Sequence, residues 1–226
     1  MTVRMPWFDP ATVPILGIDK HLPAVDSAML KPQPIRDRFR RPPTWQPEPD
    51  RERPLSDHPP RRAAVLMPIV LREEPTVLFT ERTWQLPTHA GQIAFPGGKV
   101  ESKDADAVAA ALRETQEEIG LEPHWIDVVG VLPDYLTGSA FVVTPVVGLV
   151  SLGFELKLNS EEVADTFEVP LGYLMNPAHH VRQSLDWQGA RREWLAMPYQ
   201  DQASTTRYIW GVTAALLRNF YRLMAA

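Results

Sequence analysis

From Arg62 onward the chain alternates short apolar runs with turn residues, which is the pattern of a β-rich domain. Two of these runs flank the turn-like REEP and predict a hairpin of buried strands. A later pair lies on either side of the loop from Asp134 to Ser139, and another pair surrounds Gln188-Gly189. The predicted strands, in chain order, are AAVLMPIVL, PTVLFTER, GQIAFP, IDVVGVL, AFVVTPVVGLV, FELKL, HVRQSLDW and ARREWLAM.

Three segments between and after these strands carry helical signals. Ser160 to Glu162 open a short helix, with Asn159 or Ser160 as its N-cap. Thr206 to Met224 is predicted to be a closing amphipathic helix. The earliest helix has its apolar positions on one face: Val108, Ala111, Leu112, Thr115 and Ile119. A mixed sheet between helices is the architecture that this order favours, so the fold class is α+β.

Proline divides the chain into two parts. Of its 23 prolines, 13 lie in the first 60 residues, a density that forbids long helices or central strands. We therefore expect residues 1–60 to be a proline-rich arm and residues 61–226 to be the domain. Within the arm, ATVPILGI and AVDSAML are apolar enough to pack on the domain, whereas RDRFRR and EPDRERP are expected to be exposed. Such an arm can wrap the core or a second subunit, as in a homodimer.

Composition excludes several classes of function. With 226 residues, 44% of them apolar, the chain can bury a sizeable single core. A net charge of -5 argues against nucleic-acid binding, and the lack of cysteine excludes disulfides, a thiol nucleophile and thiolate metal sites. The N terminus has no signal-peptide apolar run, and no segment approaches the roughly 20 apolar residues of a membrane span. We therefore expect a cytoplasmic protein that does not enter membranes.

The stretch RETQEEIGL places three carboxylates, Glu114, Glu117 and Glu118, three and four residues apart. On a helix they point into one sector, and like charges at this spacing destabilise the helix unless a positive group neutralises them. A divalent cation is one neutraliser; a solvated acidic face is the ordinary alternative. The corner from Pro96 to Gly98 favours the cation, because glycines let carbonyls turn toward a ligand. Such oxygen ligands suit Mg²⁺ or Mn²⁺, which also bind phosphate.

This helix resembles the second half of the Nudix signature, G-x5-E-x7-R-E-U-x-E-E-x-G-U, where U is aliphatic. The match runs from Arg113 to Leu121, with Thr115 at the first U position. Counted from Gly98, the first acid of the signature falls on Asp104, and eight residues instead of seven then separate it from Arg113. A one-residue insertion in the loop explains the difference. The resemblance implies a Nudix-type α/β/α sandwich with a mixed β-sheet.

The segment from Leu78 to Gly98 is similar to the extra signature of the coenzyme A pyrophosphatase branch of that family, LLTxR-S/A-x3-R-x3-G-x3-FPGG. Two positions depart from it: Thr83 replaces a small residue, and Pro87 replaces an arginine. The likeness implies cleavage of coenzyme A or acyl-coenzyme A to (acyl-)4′-phosphopantetheine and adenosine 3′,5′-bisphosphate. The alternatives are another nucleoside diphosphate derivative, such as ADP-ribose, NADH or a dinucleoside polyphosphate, and a non-catalytic nucleotide-binding regulator. The matching positions are Thr80, Arg82, Gly91 and Phe95 to Gly98.

The Nudix resemblance also implies roles for single residues. Glu114 and Glu118 are the leading ligands for Mg²⁺ or Mn²⁺, Glu117 is a further or water-mediated ligand, and the Gly98 carbonyl adds to the shell. Glu114 is also the first candidate for general base. Arg113 orients the glutamates through charge-assisted hydrogen bonds. The expected catalytic set is therefore Glu114, Glu117 and Arg113.

Four residues near the signature are expected to meet the substrate: Arg82, Gly97, Lys99 and His89. Arg82 can instead pair across the sheet, and His89 can be an ordinary hydrogen-bonding residue of its loop. Trp84 can stack on adenine or pack at the rim of the core.

Two further groups of residues carry open alternatives. Glu161 and Glu162 offer a second base or a distal metal ligand, or they are first-turn glutamates favoured by a helix dipole. The arginines of the arm either reach a 3′-phosphate or belong to a solvated linker: Arg36, Arg38, Arg40 and Arg41.

Overall fold

The computed structural model describes residues 9–48, 59–86, 88–187 and 190–226, which form twelve strands and four α-helices. The strands are β1 Ile15–Ile18, β2 Arg61–Val70, β3 Thr76–Arg82, β4 Ile93–Ala94, β5 Gly97–Lys99, β6 Ile126–Val131, β7 Tyr135–Leu136, β8 Phe141–Val150, β9 Val163–Pro170, β10 Val181–Trp187, β11 Ala190–Gln200 and β12 Thr206–Trp210. The helices are α1 Pro32–Arg40, α2 Ala107–Ile119, α3 Leu171–Leu174 and α4 Gly211–Ala225.

The larger sheet has eight strands, with β2 near its centre. Its order is β4-β3-β2-β8-β6, with β5, β7 and β9 pairing to β2, β8 and β3. β2 and β8 are parallel along their whole length, and the other pairings of this sheet are antiparallel. The sheet is therefore mixed, and the predicted α+β class is confirmed. β2 is almost wholly apolar because both of its faces are covered.

Side chains on the two faces of β2 enter different parts of the core. Ala64 and Leu66 pack against α2, whose facing positions are the small residues Ala107, Ala110 and Ala111. The other face, with Met67 and Ile69, packs in the main core with residues of α4 and of the second sheet. The second sheet has the order β1-β10-β11-β12 and is antiparallel. Small residues on α2 let the helix, and the acids that it carries, lie close to the sheet.

Helix α2 begins and ends at standard capping residues. The Asp106 side chain accepts a hydrogen bond from the Ala109 amide at 2.8 Å, and Gly120 closes the helix in the left-handed conformation, with φ of 70°. The predicted acidic helix is therefore confirmed. The hairpin of β2 and β3, the strand β4, the pair of β6 and β8, and the strands β10 and β11 also match the sequence prediction; Gln188 and Gly189 lie outside the described residues.

Three element predictions were wrong. The segment FELKL forms no strand; it runs past the end of α2, where the Lys157 and Asn159 amides donate to the carbonyls of Ile119 and Glu118, both at 2.9 Å. Residues 160–162 form a turn that leads into β9, because the alternating segment after them pairs with β3. The closing helix begins at Gly211, since Thr206–Trp210 joins the second sheet as β12.

The described part of the arm is more structured than the proline count predicted. RDRFRR, expected to be exposed, lies largely within α1, which buries Ile35 completely and stacks Phe39 on Phe220 with ring centroids 6.4 Å apart. By contrast, the apolar side chains of β1 remain exposed, although the strand pairs with β10. EPDRERP lies outside the described residues apart from Glu48.

Two acids of the arm are held by arginines of the domain. Arg182 forms two hydrogen bonds to Asp19, at 2.8 and 2.9 Å, and Arg218 donates to Glu48 at 3.1 Å. Arg222 donates to the same Glu48 carboxylate at 3.0 Å. The arm is thus fixed to β10 and α4 by charge as well as by burial. Within the described ranges, no helix is long and apolar enough to cross a membrane.

Candidate active site

The candidate site lies where β5 meets helix α2. β5 pairs with β2, which brings Gly97 and Gly98 against the acidic face of the helix. The Gly97 amide donates to the Glu118 carboxylate at 3.1 Å. Glu118 is 4% exposed, so a main-chain hydrogen bond holds an almost completely buried acid.

Each glycine of the corner permits a close contact. A Cβ atom on Gly98 would come within 2.6 Å of the Glu114 carboxylate, so the carboxylate occupies the space of a missing side chain. At Gly97 a Cβ would meet the Ala64 carbonyl oxygen at 2.4 Å, and φ is 152°, a value that favours glycine. Gly97 therefore lets β5 lie against β2, and Gly98 makes room for Glu114.

Arg113 connects the acids of the helix to the loop before it. Its Nε and Nη2 atoms donate to the Asp104 carboxylate at 2.8 and 2.9 Å, and its Nη1 atom donates to Glu114 and Glu117, both at 2.9 Å. A hydrogen bond from Nη2 to the Lys99 carbonyl, 3.2 Å long, ties the guanidinium to β5. The bonds from Arg113 hold the pKa of Asp104 at about 2 and raise the pKa of Arg113 itself. Asp104 is therefore ionised at neutral pH.

Burial and like charge act together on the two innermost acids. Burial raises the pKa of Glu118 to about 8; the Gly97 amide and Arg82 oppose this shift, and the charges of Glu162 and Glu114 add to it. Burial also raises the pKa of Glu114. The hydrogen bond and charge of Arg113 oppose this shift, and the charges of Glu117 and Glu162 add to it. Glu162 thus lies within electrostatic range of both acids, although it is 44 positions from Glu118 in the chain. Ionisation of both innermost acids is therefore unfavourable unless a positive charge neutralises them.

This donor set fits a hard divalent cation. Carboxylates whose pKa is raised by burial and by one another are stabilised when a cation neutralises them. Among the described residues, no group of three or more His, Asp or Glu side chains is placed to hold a metal ion. Mg²⁺ does not require one, because it commonly binds one or two carboxylates and completes its shell with water and phosphate oxygens. Glu114 and Glu118 would be those two carboxylates.

The substrate-binding residues predicted from the sequence fall into two groups. Arg82 lies beside the acids, with Nη1 3.9 Å from Glu118, and its buried Nε atom has no hydrogen-bond partner within the described chain. Gly97 contacts the same Glu118 carboxylate. Lys99 is exposed and contributes its carbonyl to Arg113, and the exposed His89 pairs with Gln92 of its own loop at 2.8 Å. The structure therefore brings Arg82 and Gly97, but not the side chains of Lys99 and His89, to the acids.

The structure also gives positions for Glu161, Glu162 and Arg36, whose roles the sequence left open. Glu161 is exposed, and its amide bonds to the Asn159 side chain, so only Glu162 of that pair reaches the acids. Neither is a first-turn helical residue, because this segment is a turn. Of the arm arginines, Arg36 pairs with Asp127 at 2.8 Å.

Sequence reasoning missed the function of one residue. Asp104 was assigned to the signature, but its contact with Arg113 was not anticipated. The signal was present, because the Nudix signature expects an acid at the position of Asp104. One additional residue lies between this acid and Arg113. An inserted residue lengthens a loop without preventing its acid from reaching the same arginine.

Comparison with known proteins gives the class. The family model described as NUDIX domain matches residues 60–184, more than half of the chain, including all of α2. A protein with this domain and this acidic site is a hydrolase of phosphorus-containing anhydrides, a class that generally uses divalent metal ions. The chain belongs to the Nudix family.

Relatives support the same assignment. The uncharacterized Nudix hydrolase NudL of Citrobacter koseri is 41% identical over 159 residues, which cover 70% of this chain and 80% of that protein. The protein of the same description from Escherichia coli is 40% identical over the same coverage. Among solved structures, a binary complex of Caenorhabditis elegans Ap4A hydrolase has a TM-score of 0.43 and 20% identity, covering 48% of this chain and 80% of that one.

Proposed function

We propose that the chain is a coenzyme A diphosphatase that cleaves free or acylated coenzyme A to (acyl-)4′-phosphopantetheine and adenosine 3′,5′-bisphosphate, with Mg²⁺ or Mn²⁺ as cofactor. One observation carries the proposal. Arg82 and Gly97 both belong to the segment that resembles the coenzyme A branch, and both contact Glu118 of the signature helix. The segment that suggests the substrate thus borders the acids that suggest the chemistry.

The residues of the site supply positioning and charge. Hydrolysis joins a water oxygen to one phosphorus of the diphosphate, breaks the bond from that phosphorus to the bridging oxygen, and leaves a proton to be accepted. Arg113 holds the Glu114 carboxylate, and the Gly97 amide holds that of Glu118, so neither has to be ordered during the reaction. The guanidinium group of Arg82, whose side chain is 26% exposed beside Glu118, would supply positive charge to the diphosphate anion. A bound cation would neutralise phosphate charge and acidify a coordinated water.

Two glutamates are candidates for the base that accepts the proton. Glu114 is the first, because its pKa is raised and it is half-buried beside the proposed cation site. Glu162 is the second, because its charge acts on both Glu114 and Glu118. Glu162→Gln and Glu161→Gln form a matched pair, since only Glu162 reaches the acids. A fall in kcat in Glu162→Gln alone assigns Glu162 to the chemistry. If both variants keep the native kcat, Glu114 remains the candidate base.

The substrate is tested by direct competition among diphosphates. Turnover of coenzyme A and acetyl-coenzyme A is measured with Mg²⁺ and with Mn²⁺, beside ADP-ribose, NADH and diadenosine tetraphosphate. We expect the highest kcat/KM for the coenzyme A compounds, with adenosine 3′,5′-bisphosphate as a product. A clearly higher value for another diphosphate would overturn the coenzyme A proposal and leave the Nudix hydrolase assignment in place.

A second candidate function is hydrolysis of another nucleoside diphosphate derivative. It is favoured by the two positions, Thr83 and Pro87, at which the chain departs from the coenzyme A pattern. Thr83 is buried and its amide donates to the Glu162 carbonyl at 2.9 Å, so this departure from the pattern adjoins Glu162. Pro87, which replaces the arginine of the pattern, lies outside the described residues. The substrate panel above separates the two candidates.

Glu118→Gln tests whether catalysis uses this site. Glutamine keeps an oxygen that can accept from the Gly97 amide but removes the charge that a cation needs. We expect hydrolysis to fall by about 100-fold or more and the thermal shift caused by Mn²⁺ to disappear. Retained turnover would place the chemistry elsewhere.

A further inference from the structure

Trp84 is an exposed aromatic side chain whose position is nevertheless fixed. The residue is 66% exposed, yet its indole ring lies directly on Gly91. A Cβ atom on Gly91 would come within 2.4 to 2.7 Å of three ring atoms, so only glycine leaves room for the ring in this position. Gly91 also has φ of 67°, a conformation that favours glycine. The glycine thus supports one side of the ring, and most of the rest faces solvent.

The loop that carries Trp84 is tied to the candidate active site on both sides. The Gly91 amide donates to the Arg82 carbonyl at 3.1 Å, and the Arg82 amide donates to the Gln92 carbonyl at 3.0 Å. The amide of Thr83 donates to the Glu162 carbonyl at 2.9 Å. The residue before Trp84 and the glycine beneath its ring are therefore anchored to Arg82 and Glu162, which flank the acids.

The exposed indole ring of Trp84 contributes less to the stability of the fold than a buried one would. Burying an indole removes a large apolar area from water, and tryptophan is usually highly buried. Among the residues whose burial the structure describes, the other exposed large hydrophobic residues are all aliphatic: Ile15, Leu16, Ile18, Val131, Leu136 and Leu152. Trp84 differs from them in offering a flat aromatic face, and it does so beside the site at which the proposed function places the diphosphate. A ligand with both an anionic group and an aromatic ring would use both features.

We propose that Trp84 is the platform on which the nucleobase of the substrate stacks while the diphosphate lies at Arg82 and the acids. The inference rests on the proposed function, because it names the part of a nucleoside diphosphate derivative that this residue recognises. In such a molecule one sugar separates the base from the phosphates, so the two groups bind at neighbouring positions. Stacking on an aromatic face tolerates different bases and holds the ring without hydrogen bonds.

Binding measurements without turnover test the platform. The full chain is titrated with adenosine 3′,5′-bisphosphate, which has no anhydride to cleave, and with ribose 5-phosphate, which has no base. Trp84→Leu keeps an apolar side chain but removes the ring, Trp84→Phe keeps a smaller ring, and Leu152→Ala is a control on an exposed turn after β8. We expect Trp84→Leu to weaken binding of the bisphosphate by about tenfold, the range of base–aromatic stacking. Trp84→Phe should lose less, and ribose 5-phosphate should bind all variants equally.

Kinetics give a second readout. Against the best substrate of the panel, Trp84→Leu should raise KM by a similar factor and leave kcat nearly unchanged, because the ring contacts the base and not the reacting atoms. Equal affinity of the native chain and Trp84→Leu for the bisphosphate, or equal losses for both ligands, would overturn the inference.

The two proposals fail in different ways. If coenzyme A is not cleaved but the bisphosphate still depends on Trp84, the substrate proposal fails and the platform stands. If coenzyme A is cleaved with no dependence on Trp84, only the platform fails. A native chain that binds the bisphosphate no better than ribose 5-phosphate also rejects it.

Discussion

Arg113 holds the Asp104 carboxylate with two hydrogen bonds, 2.8 Å from Nε and 2.9 Å from Nη2. This pair fixes the guanidinium, whose Nη1 atom then reaches Glu114 and Glu117. Asp104→Asn removes the charge and one of the two acceptors. Because residues that orient metal ligands typically contribute 10- to 100-fold, we expect kcat to fall by about tenfold with a small change in KM.

Glu101→Gln is the control for Asp104→Asn. Glu101 lies in the same loop and is exposed, and among the described residues its side chain pairs with Lys103 at 3.3 Å. Its kcat should stay within about twofold of the native value, as for surface substitutions in general. Equal losses in the two variants would mean that the loop, and not the Arg113–Asp104 pair, is responsible.

Gly98→Ala tests the contact between the diglycine corner and Glu114. The new Cβ atom would lie 2.6 Å from the carboxylate, which must move, whereas the backbone of Gly98 has no left-handed φ to strain. We expect activity to fall at least tenfold, because small displacements of catalytic groups have large effects, with a change in Tm of only a few degrees. Gly172→Ala is the matched control, since a Cβ there meets nothing within 4 Å. Full activity in Gly98→Ala would contradict the proposed position of Glu114.

Local signals predicted the central part of this site. Helical periodicity placed Glu114, Glu117 and Glu118 on one side of α2, and the glycines marked the corner that meets it. The sequence left open whether Glu161 or Glu162 approaches the acids, because the contact of Glu162 depends on β9 pairing with β3. The separation of Lys99 from the acids was equally hidden, since a strand alternates its side chains between two faces. Motif spacing alone could not assign either residue to a face of the completed sheet.

The fold was predictable wherever apolar runs were long. β2, β3, β6 and β8 follow from such runs, but β12 was mistaken for the beginning of α4 because its five residues carry no clear periodicity. Proline density misled the prediction for the arm. Pro32 and Pro34 stand in the first turn of α1, where proline is tolerated because the amide there needs no helical partner. Counting prolines without their positions therefore understated the structure of this segment.

Glu48 should make the free energy of unfolding depend on pH in the acidic range. Burial raises its pKa, but hydrogen bonds and charge from Arg218 and Arg182 outweigh burial and lower it from 4.5 to about 2. The folded state therefore holds this proton less tightly than the unfolded chain, and the stabilisation present above pH 4.5 is lost as the pH falls toward 2. The shift corresponds to a free energy of unfolding on the order of 3 kcal/mol. Urea denaturation between pH 2.5 and 7 measures it.

Glu48→Gln should remove that part of the pH dependence. The variant should also be less stable at pH 7, because Arg218 is buried and loses a charged partner. Glu122→Gln, at an exposed carboxylate that pairs with His124, is the control and should keep the native pH profile. An unchanged profile in Glu48→Gln would mean that other acids cause the acid sensitivity.

Ile35→Ala tests whether the arm folds with the domain. Ile35 is completely buried, so truncation leaves a cavity and should reduce the free energy of unfolding by about 2 to 5 kcal/mol. Leu16→Ala, at a position 47% exposed in the same arm, should change it by less than about 0.5 kcal/mol. Chemical denaturation of both variants measures the difference. Equal stability of the two variants would show that the arm contributes little to the core.

The group that holds Glu118 is a main-chain amide, and this limits how the site can be lost by mutation. Every residue except proline has such an amide, so the anchor depends not on a side chain but on the close approach of β5 to β2, which a Cβ atom at position 97 would prevent. It fails only when β5 itself separates from β2. Hydrogen exchange of the Gly97 amide would therefore report on the integrity of the catalytic corner, even in variants whose activity is already gone.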